Sequence, residues 1–122
     1  LVTQKDAPNS PIIEALARLT QDPSFDRTVP SRRIVLVSDM LQNSDIFTVY
    51  GRGRGSFSQR VPSARTVANA IRETYGDNMR GVSIRIRLIP RNSWETEQRG
   101  ALRRYWSEVF DQLGVSVSWA DI

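Results

Sequence analysis

The chain has 122 residues, which is enough for one compact domain and too short for two of ordinary size. It contains neither cysteine nor histidine, which excludes disulfides, thiolate nucleophiles, histidine-based acid–base catalysis and typical zinc sites. The formal net charge of +4 permits nucleic-acid binding without arguing for it, and no stretch approaches the roughly 20 apolar residues of a membrane helix.

The amino-terminal part of the chain predicts one helix followed by one strand. Ser10 and Pro11 are typical of a helix start, with Ser10 as the N-cap, and apolar residues at helical spacing predict a helix over 11–20. The residues from Ile34 to Val37 are all apolar. A strand over 33–38 is therefore predicted to lie in the middle of a sheet that helices cover on both faces.

The rest of the chain continues this alternation after a long, mostly irregular stretch at 40–61. The further elements are a helix from Pro62 to Gly76, a strand over 82–89 with one wetter face, a helix over 94–113 and a strand over 115–119. This order predicts a single α/β domain or domain fragment: three layers, a mainly parallel sheet and Rossmann-like topology. Because the chain opens at Leu1 rather than at methionine, we expect a processed product or a fragment.

Asp39 directly follows the apolar strand and is the best single candidate for chemistry or metal binding. Ligands of open parallel sheets gather beyond the carboxyl ends of the strands, where this carboxylate is expected. The alternative is a loop aspartate that caps the backbone after a strand. The oxygen ligands available at this edge suit Mg²⁺, Mn²⁺ or Ca²⁺.

The strand that ends in Val37-Ser38-Asp39 resembles the second half of a von Willebrand factor type A domain. In that family a buried strand ends in Ser-Asp-Gly or Thr-Asp-Gly at a metal-ion-dependent adhesion site, and an earlier Ser or Thr supplies a hydroxyl. The resemblance implies that Asp39 and Ser10 take these places. Two departures imply a degenerate or incomplete site, since residue 40 is Met and no Asp-x-Ser-x-Ser occurs in the chain.

The resemblance implies a non-catalytic module that binds a protein partner at the carboxyl edge of the sheet, and we expect a bacterial origin. The contact residues would come from the 40–61 loop, namely Met40, Gln42, Asn43 and Asp45. In the family the strand ending at Asp39 pairs with a first strand that is missing here. The resulting apolar edge is expected to be covered by Leu1–Thr3, by the 40–61 loop or by another copy of the chain, as in a homodimer.

Two other functions stay open at this point. Arg52, Arg54 and Arg60, near aromatic residues, could bind nucleic acid, although a flexible loop is the simpler interpretation. A Mg²⁺-dependent hydrolase using Asp39 is the least favoured alternative, because the chain offers no second converging carboxylate and no histidine. Arg85 and Arg87 share one face of a strand and are expected to be solvated or ion-paired.

Overall fold

Three parallel strands form the sheet of this computed structural model, which describes residues 9–50 and 56–121. The strands are β1 (Arg33–Ser38), β2 (Ser83–Leu88) and β3 (Ser116–Asp121), in the spatial order β1-β2-β3. Ile34 is in register with Ile84, which is in register with Val117. The prediction of a parallel α/β sheet is confirmed.

In the described part of the chain, five helices connect or flank the strands. They are α1 (Ile12–Leu19), α2 (Phe57–Arg60), α3 (Ala64–Tyr75), α4 (Glu95–Arg99) and α5 (Ala101–Leu113), and a short 3₁₀ turn spans Pro23–Phe25. The helix predicted over 94–113 is therefore broken in two. The break falls at Gly100, whose backbone (φ −121°, ψ −102°) is not helical.

The start of α1 differs from its prediction. The residue preceding the helix is Pro11 rather than Ser10, and neither side chain caps the helix. The free backbone N–H of Ile13 instead donates to Oε1 of Gln42 at 3.1 Å. The prediction that Ser10 is the N-cap is wrong, because a buried amide from the segment after β1 takes that role.

The core lies on one face of the sheet. Ile84, Ile86 and Leu88 point from β2 into an apolar cluster that includes Trp106 and Phe110 of α5, whose rings stack with centroids 5.4 Å apart. Helix α5 packs on α3, and α3 packs on α1. Successive right-handed crossovers that advance in one direction across a sheet place their helices on the same face, which explains this arrangement.

The opposite face of the sheet is exposed within the described residues. Val35 and Val37 retain 65% and 54% of their accessible surface. The expectation of a central strand with helices on both faces therefore differs from the structure, where β1 is an edge strand with one uncovered face. None of the helices in these residues has the length and apolar character needed to cross a membrane.

Candidate functional site

Asp39 lies at the carboxyl end of β1, as predicted, but both of its carboxylate oxygens already have partners. Oδ1 accepts a hydrogen bond from the backbone N–H of Leu41 at 3.0 Å, and Oδ2 lies 3.0 Å from Nε of Arg91. The first contact is the backbone cap expected of a loop aspartate, and the second fixes a guanidinium beside the carboxylate. Tyr50 lies close enough that burial, together with the Asp39 charge, raises the pKa of its phenol.

The residues at this edge do not fit the cation that the family resemblance implies. The Arg91 guanidinium occupies the approach to the one carboxylate and would repel a second positive charge. Within residues 9–50 and 56–121 no three acidic side chains converge as a metal site would require. Ser10 is held in place by its backbone, which exchanges hydrogen bonds of 2.9 and 3.0 Å with Asn43. Its assignment as a metal-site hydroxyl stays a prediction.

Gln98 ties the carboxyl ends of β1 and β2 together. Its side-chain amide, 1% exposed, donates to the backbone carbonyls of Asp39 and Ile89 at 2.9 Å each. Its Oε1 accepts from the backbone N–H of Arg91 at 2.9 Å. This one side chain therefore fixes the turn that carries Asp39 and the turn that carries its ion-pair partner. Sequence reasoning missed it, because a glutamine near a helix start has no distinctive pattern.

Met40 stands where the resembling family has glycine, and its backbone shows why glycine suits that position. Its φ is +61°, in the left-handed region that glycine adopts without strain. Two contacts hold the turn: Met40 N donates to Oγ of Ser38 at 2.9 Å, and Trp106 Nε1 donates to Met40 O at 3.0 Å. The Met40 side chain is fully buried and contributes to the core.

Most of the predicted partner-contact residues lie in the interior. Met40 and Gln42 are fully buried and Asn43 is 4% exposed, whereas Asp45 is exposed. The Gln42 amide also donates to Glu14 Oε1 at 2.7 Å. This burial weighs against direct contact between a partner and the first three of these side chains, and leaves Asp45 as the accessible member of the set.

The arginines proposed for nucleic-acid binding are not gathered into a site by the described residues. Arg60 donates through Nη1 to the carbonyl of Val49 at 3.2 Å, and its guanidinium lies 5.5 Å from the ring centroid of Phe57. These contacts hold the end of α2 against the preceding segment. Arg52 and Arg54 lie outside the described residues, so their role stays a prediction.

The exposed apolar side chains cluster elsewhere, around β1. The large hydrophobic residues that are exposed within the described residues are Val35, Val37 and Leu19, the last at 43%. All three line one groove of about 420 Å³ between α1 and β1, which we call the β1 groove. Its walls include Leu16 of α1 and the whole stretch from Ile34 to Ser38.

The backbone of β1 is also open along this side. Ser83 N donates to Arg32 O and Ile89 N donates to Ser38 O, so the even-numbered residues of β1 pair with β2. In a strand the polar groups alternate sides, and those of Arg33, Val35 and Val37 therefore point away from β2. The described part of the chain provides no strand on that side.

The uncovered face of the sheet carries positive charge. We define this open face by the alternate residues that share it in register: Arg33, Val35 and Val37 of β1, Ser83, Arg85 and Arg87 of β2, and Ser116, Ser118 and Ala120 of β3. All three arginines are exposed, and none of these nine residues is acidic. The expectation that Arg85 and Arg87 occupy a wetter strand face is confirmed.

Comparisons with protein-family models, with curated proteins and with solved structures gave no match. The resemblance to the von Willebrand factor type A family therefore remains a prediction from the residues around Asp39.

Proposed function

We propose that this chain is a non-catalytic protein-interaction module that binds its partner through the β1 groove and the adjoining open face. The observation that carries the proposal is the clustering of Leu19, Val35 and Val37 around one unpaired strand edge. Scattered exposed apolar residues need no explanation, but a contiguous apolar groove beside free backbone groups is typical of a binding surface.

The general behaviour of parallel sheets supports the same surface. All-parallel sheets occur almost only with both faces covered, and a covering partner would supply the third layer that the sequence predicts. The strand order and the position of Asp39 after β1 are compatible with a von Willebrand A-like module. The Asp39–Arg91 ion pair supports a degenerate adhesion site that no longer depends on a cation.

Selection from an unbiased library of phage-displayed peptides tests this proposal. We expect enriched peptides to lose at least about tenfold in affinity when Val35→Glu and Val37→Glu are combined, because charge replaces apolar contact at the β1 groove. The matched control combines Thr74→Glu with Gln112→Glu, which adds the same charge at exposed positions on the helical layer. Enriched peptides that bind the β1 variant as tightly as the parent would overturn the proposal.

Nucleic-acid binding is a second candidate, favoured by the three arginines of the open face. Guanidinium groups on one face can bind phosphates, although this face offers no aromatic ring for base stacking. Binding of a single-stranded oligonucleotide should then weaken steeply between low and moderate salt, and Arg85→Ala with Arg87→Ala should abolish it. Affinity that does not change with salt would exclude this candidate.

A further inference from the structure

The edge of β1 meets the requirements for pairing with another extended segment. Its six residues contain no proline and one charged residue, Arg33 at the first position, and no further strand of the described residues pairs with this edge. Natural proteins usually protect such an edge with prolines, charged side chains or a covering element. The free N–H and C=O groups of Arg33, Val35 and Val37 form a regular row that an incoming strand can satisfy.

We propose that β1 accepts an extended partner segment as a fourth strand, and that this segment alternates apolar with acidic side chains. This inference rests on the proposed interaction function and names the chemistry of the partner. The alternation follows from strand geometry, because successive side chains of the added strand point to opposite faces of the sheet.

One set of side chains on the added strand points toward α1. There it enters the β1 groove, whose walls include Leu16 and Leu19 of α1 and Ile34 and Leu36 of β1. These walls are apolar, so apolar side chains at alternate positions of the partner bury surface without leaving polar groups unsatisfied.

The other set of side chains points to the open face, where the charge is positive. Arg33 lies on the neighbouring strand. Arg85 and Arg87 are in register with Val35 and Val37, about 10 Å, or two strand spacings, from the added strand. A glutamate side chain of the added strand and an arginine side chain of β2, extended toward each other across a valine of β1, together span this separation. Acidic residues on this side of the partner therefore meet opposite charge at the contact.

Charge also decides between the acidic segment and a second copy of the chain. A second copy carries the same net charge of +4, and antiparallel pairing of two β1 strands would bring two sets of the three open-face arginines onto one sheet. Like charges on one surface oppose association, whereas opposite charges favour it and speed encounter. The acidic partner is therefore the occupant that this surface fits.

The experiment uses a synthetic peptide of about eight residues that alternates glutamate and valine, a length that matches an ordinary strand. One control is a lysine–valine peptide of the same length. The other is a glutamate–valine peptide N-methylated on alternate amides, so that one of its two edges has no N–H donors. Fluorescence polarisation measures affinity. Hydrogen exchange followed by NMR measures protection of individual backbone amides in the full chain.

We expect the glutamate–valine peptide to bind at least about tenfold more tightly than the lysine–valine peptide, since like charge is penalised at the open face. We also expect it to slow exchange of the Val35 and Val37 amides. Exchange at Ile34 and Leu36 should change little, because those amides already pair with β2. The N-methylated peptide with its β1-facing amides blocked should give no protection.

Three outcomes would overturn the inference. Binding without protection of Val35 and Val37 would place the partner on the open face alone, and equal binding of the lysine peptide would remove the acidic requirement. Protection of these amides without peptide, together with doubling of the mass in sedimentation, would identify a second copy as the occupant. Each of these outcomes leaves the proposed function standing. That function fails only if the enriched library peptides bind the variant with both valines replaced as tightly as they bind the parent.

Discussion

At the scale of single residues, buried polar side chains hold the turns that flank the sheet. Gln98 joins the two carboxyl-end turns, and Arg32 does the same at the opposite end of β1. The Arg32 guanidinium donates to the backbone carbonyls of Phe25, Asn78 and Arg80. Burying a polar group is costly unless its hydrogen bonds are satisfied. Each of these side chains therefore favours a single conformation of the backbone turns that it contacts.

Replacing Gln98 with leucine should lower the free energy of unfolding by about 2–3 kcal/mol. The substitution replaces the amide with an apolar side chain of similar size and leaves two partly buried carbonyls and one partly buried N–H without this partner. Urea unfolding followed by tryptophan fluorescence measures the loss. Thr96→Ala, at an exposed position two residues away in sequence, is the control and should change stability by less than about 0.5 kcal/mol. A Gln98→Leu variant as stable as the control would contradict the role of the amide.

Divalent cations should not raise the melting temperature of the chain. The Asp39 carboxylate is occupied by Arg91 and by the Leu41 N–H, so Mg²⁺, Mn²⁺ or Ca²⁺ gains no preformed site in the folded state. Thermal melts with each cation and with EDTA should coincide. A saturable rise with one cation that disappears in Asp39→Ala would show the opposite, because ligands that bind only the folded state raise its stability.

At the scale of secondary-structure elements, sequence patterns predict the helix ends that are stabilised by residues close by in the chain. Helix α3 ends at Gly76, as predicted, and begins at Ala64, two residues after the predicted start at Pro62, with a local cap in which Ser63 Oγ accepts from Thr66 N at 3.1 Å. Helix α1 also has a serine and a proline at its start, in the opposite order, but a different cap. The amide that caps it comes from Gln42, 29 residues beyond Ile13, a partner that no local pattern could reveal.

The two serines provide a matched test of this difference. Ser63→Ala should lower stability by about 1 kcal/mol, the usual loss for a removed N-cap. Ser10→Ala should change it by less than about 0.5 kcal/mol, since Ser10 caps no helix. Denaturant midpoints of the two variants at equal slope measure both effects. Equal losses would mean that Ser10 does cap α1 in solution.

Gln42→Ala completes the comparison. This substitution removes the cap of α1 together with contacts to Glu14 and Ser44 in a fully buried position. We expect a loss of about 2 kcal/mol or more, larger than that of Ser63→Ala, because buried groups are left unsatisfied. A smaller loss than at Ser63 would show that water satisfies these groups readily.

At the scale of the whole molecule, the sequence predicts the sheet but not what covers it. An apolar run such as Ile34–Val37 is the same whether helices, a partner or solvent lie above it, so burial on the second face is a tertiary property. The sequence does contain one signal that the second face of β1 is exposed. In parallel register Val35 and Val37 fall on the same face as Arg85 and Arg87, which the alternation in β2 already marks as wet. The sequence therefore predicts the candidate site at Asp39, just beyond the carboxyl end of β1, whereas the exposed apolar side chains define a surface along the strand itself.

Acid should destabilise the fold through carboxylates that are held ionised. The hydrogen bond from Arg80, with help from Arg72, lowers the pKa of Asp77 below its ordinary value of 3.8. Backbone hydrogen bonds from Ser24 and Thr28 lower the pKa values of Asp22 and Asp26 in the same direction.

The sign of the effect follows from these depressed pKa values. Near pH 4 the unfolded chain binds more protons than the folded chain, so this stabilisation is present above 3.8 and is lost as the pH falls through the folded pKa values. Urea midpoints measured from about pH 6 to about pH 3 should therefore decrease. Replacing Asp22, Asp26 and Asp77 together with asparagine should flatten this decrease, and an unchanged slope would assign it to other carboxylates.

The bare valine edge also bears on how the protein survives before it meets the proposed partner. An unpaired strand edge with exposed apolar side chains can pair with further copies of the chain and form fibrils, just as it can pair with a partner segment. Cells would then gain from making both molecules together, and an excess of this chain alone would tend to precipitate. Combining Val35→Glu with Val37→Glu would act as a gatekeeper, improving the yield of the isolated chain while abolishing the proposed recognition.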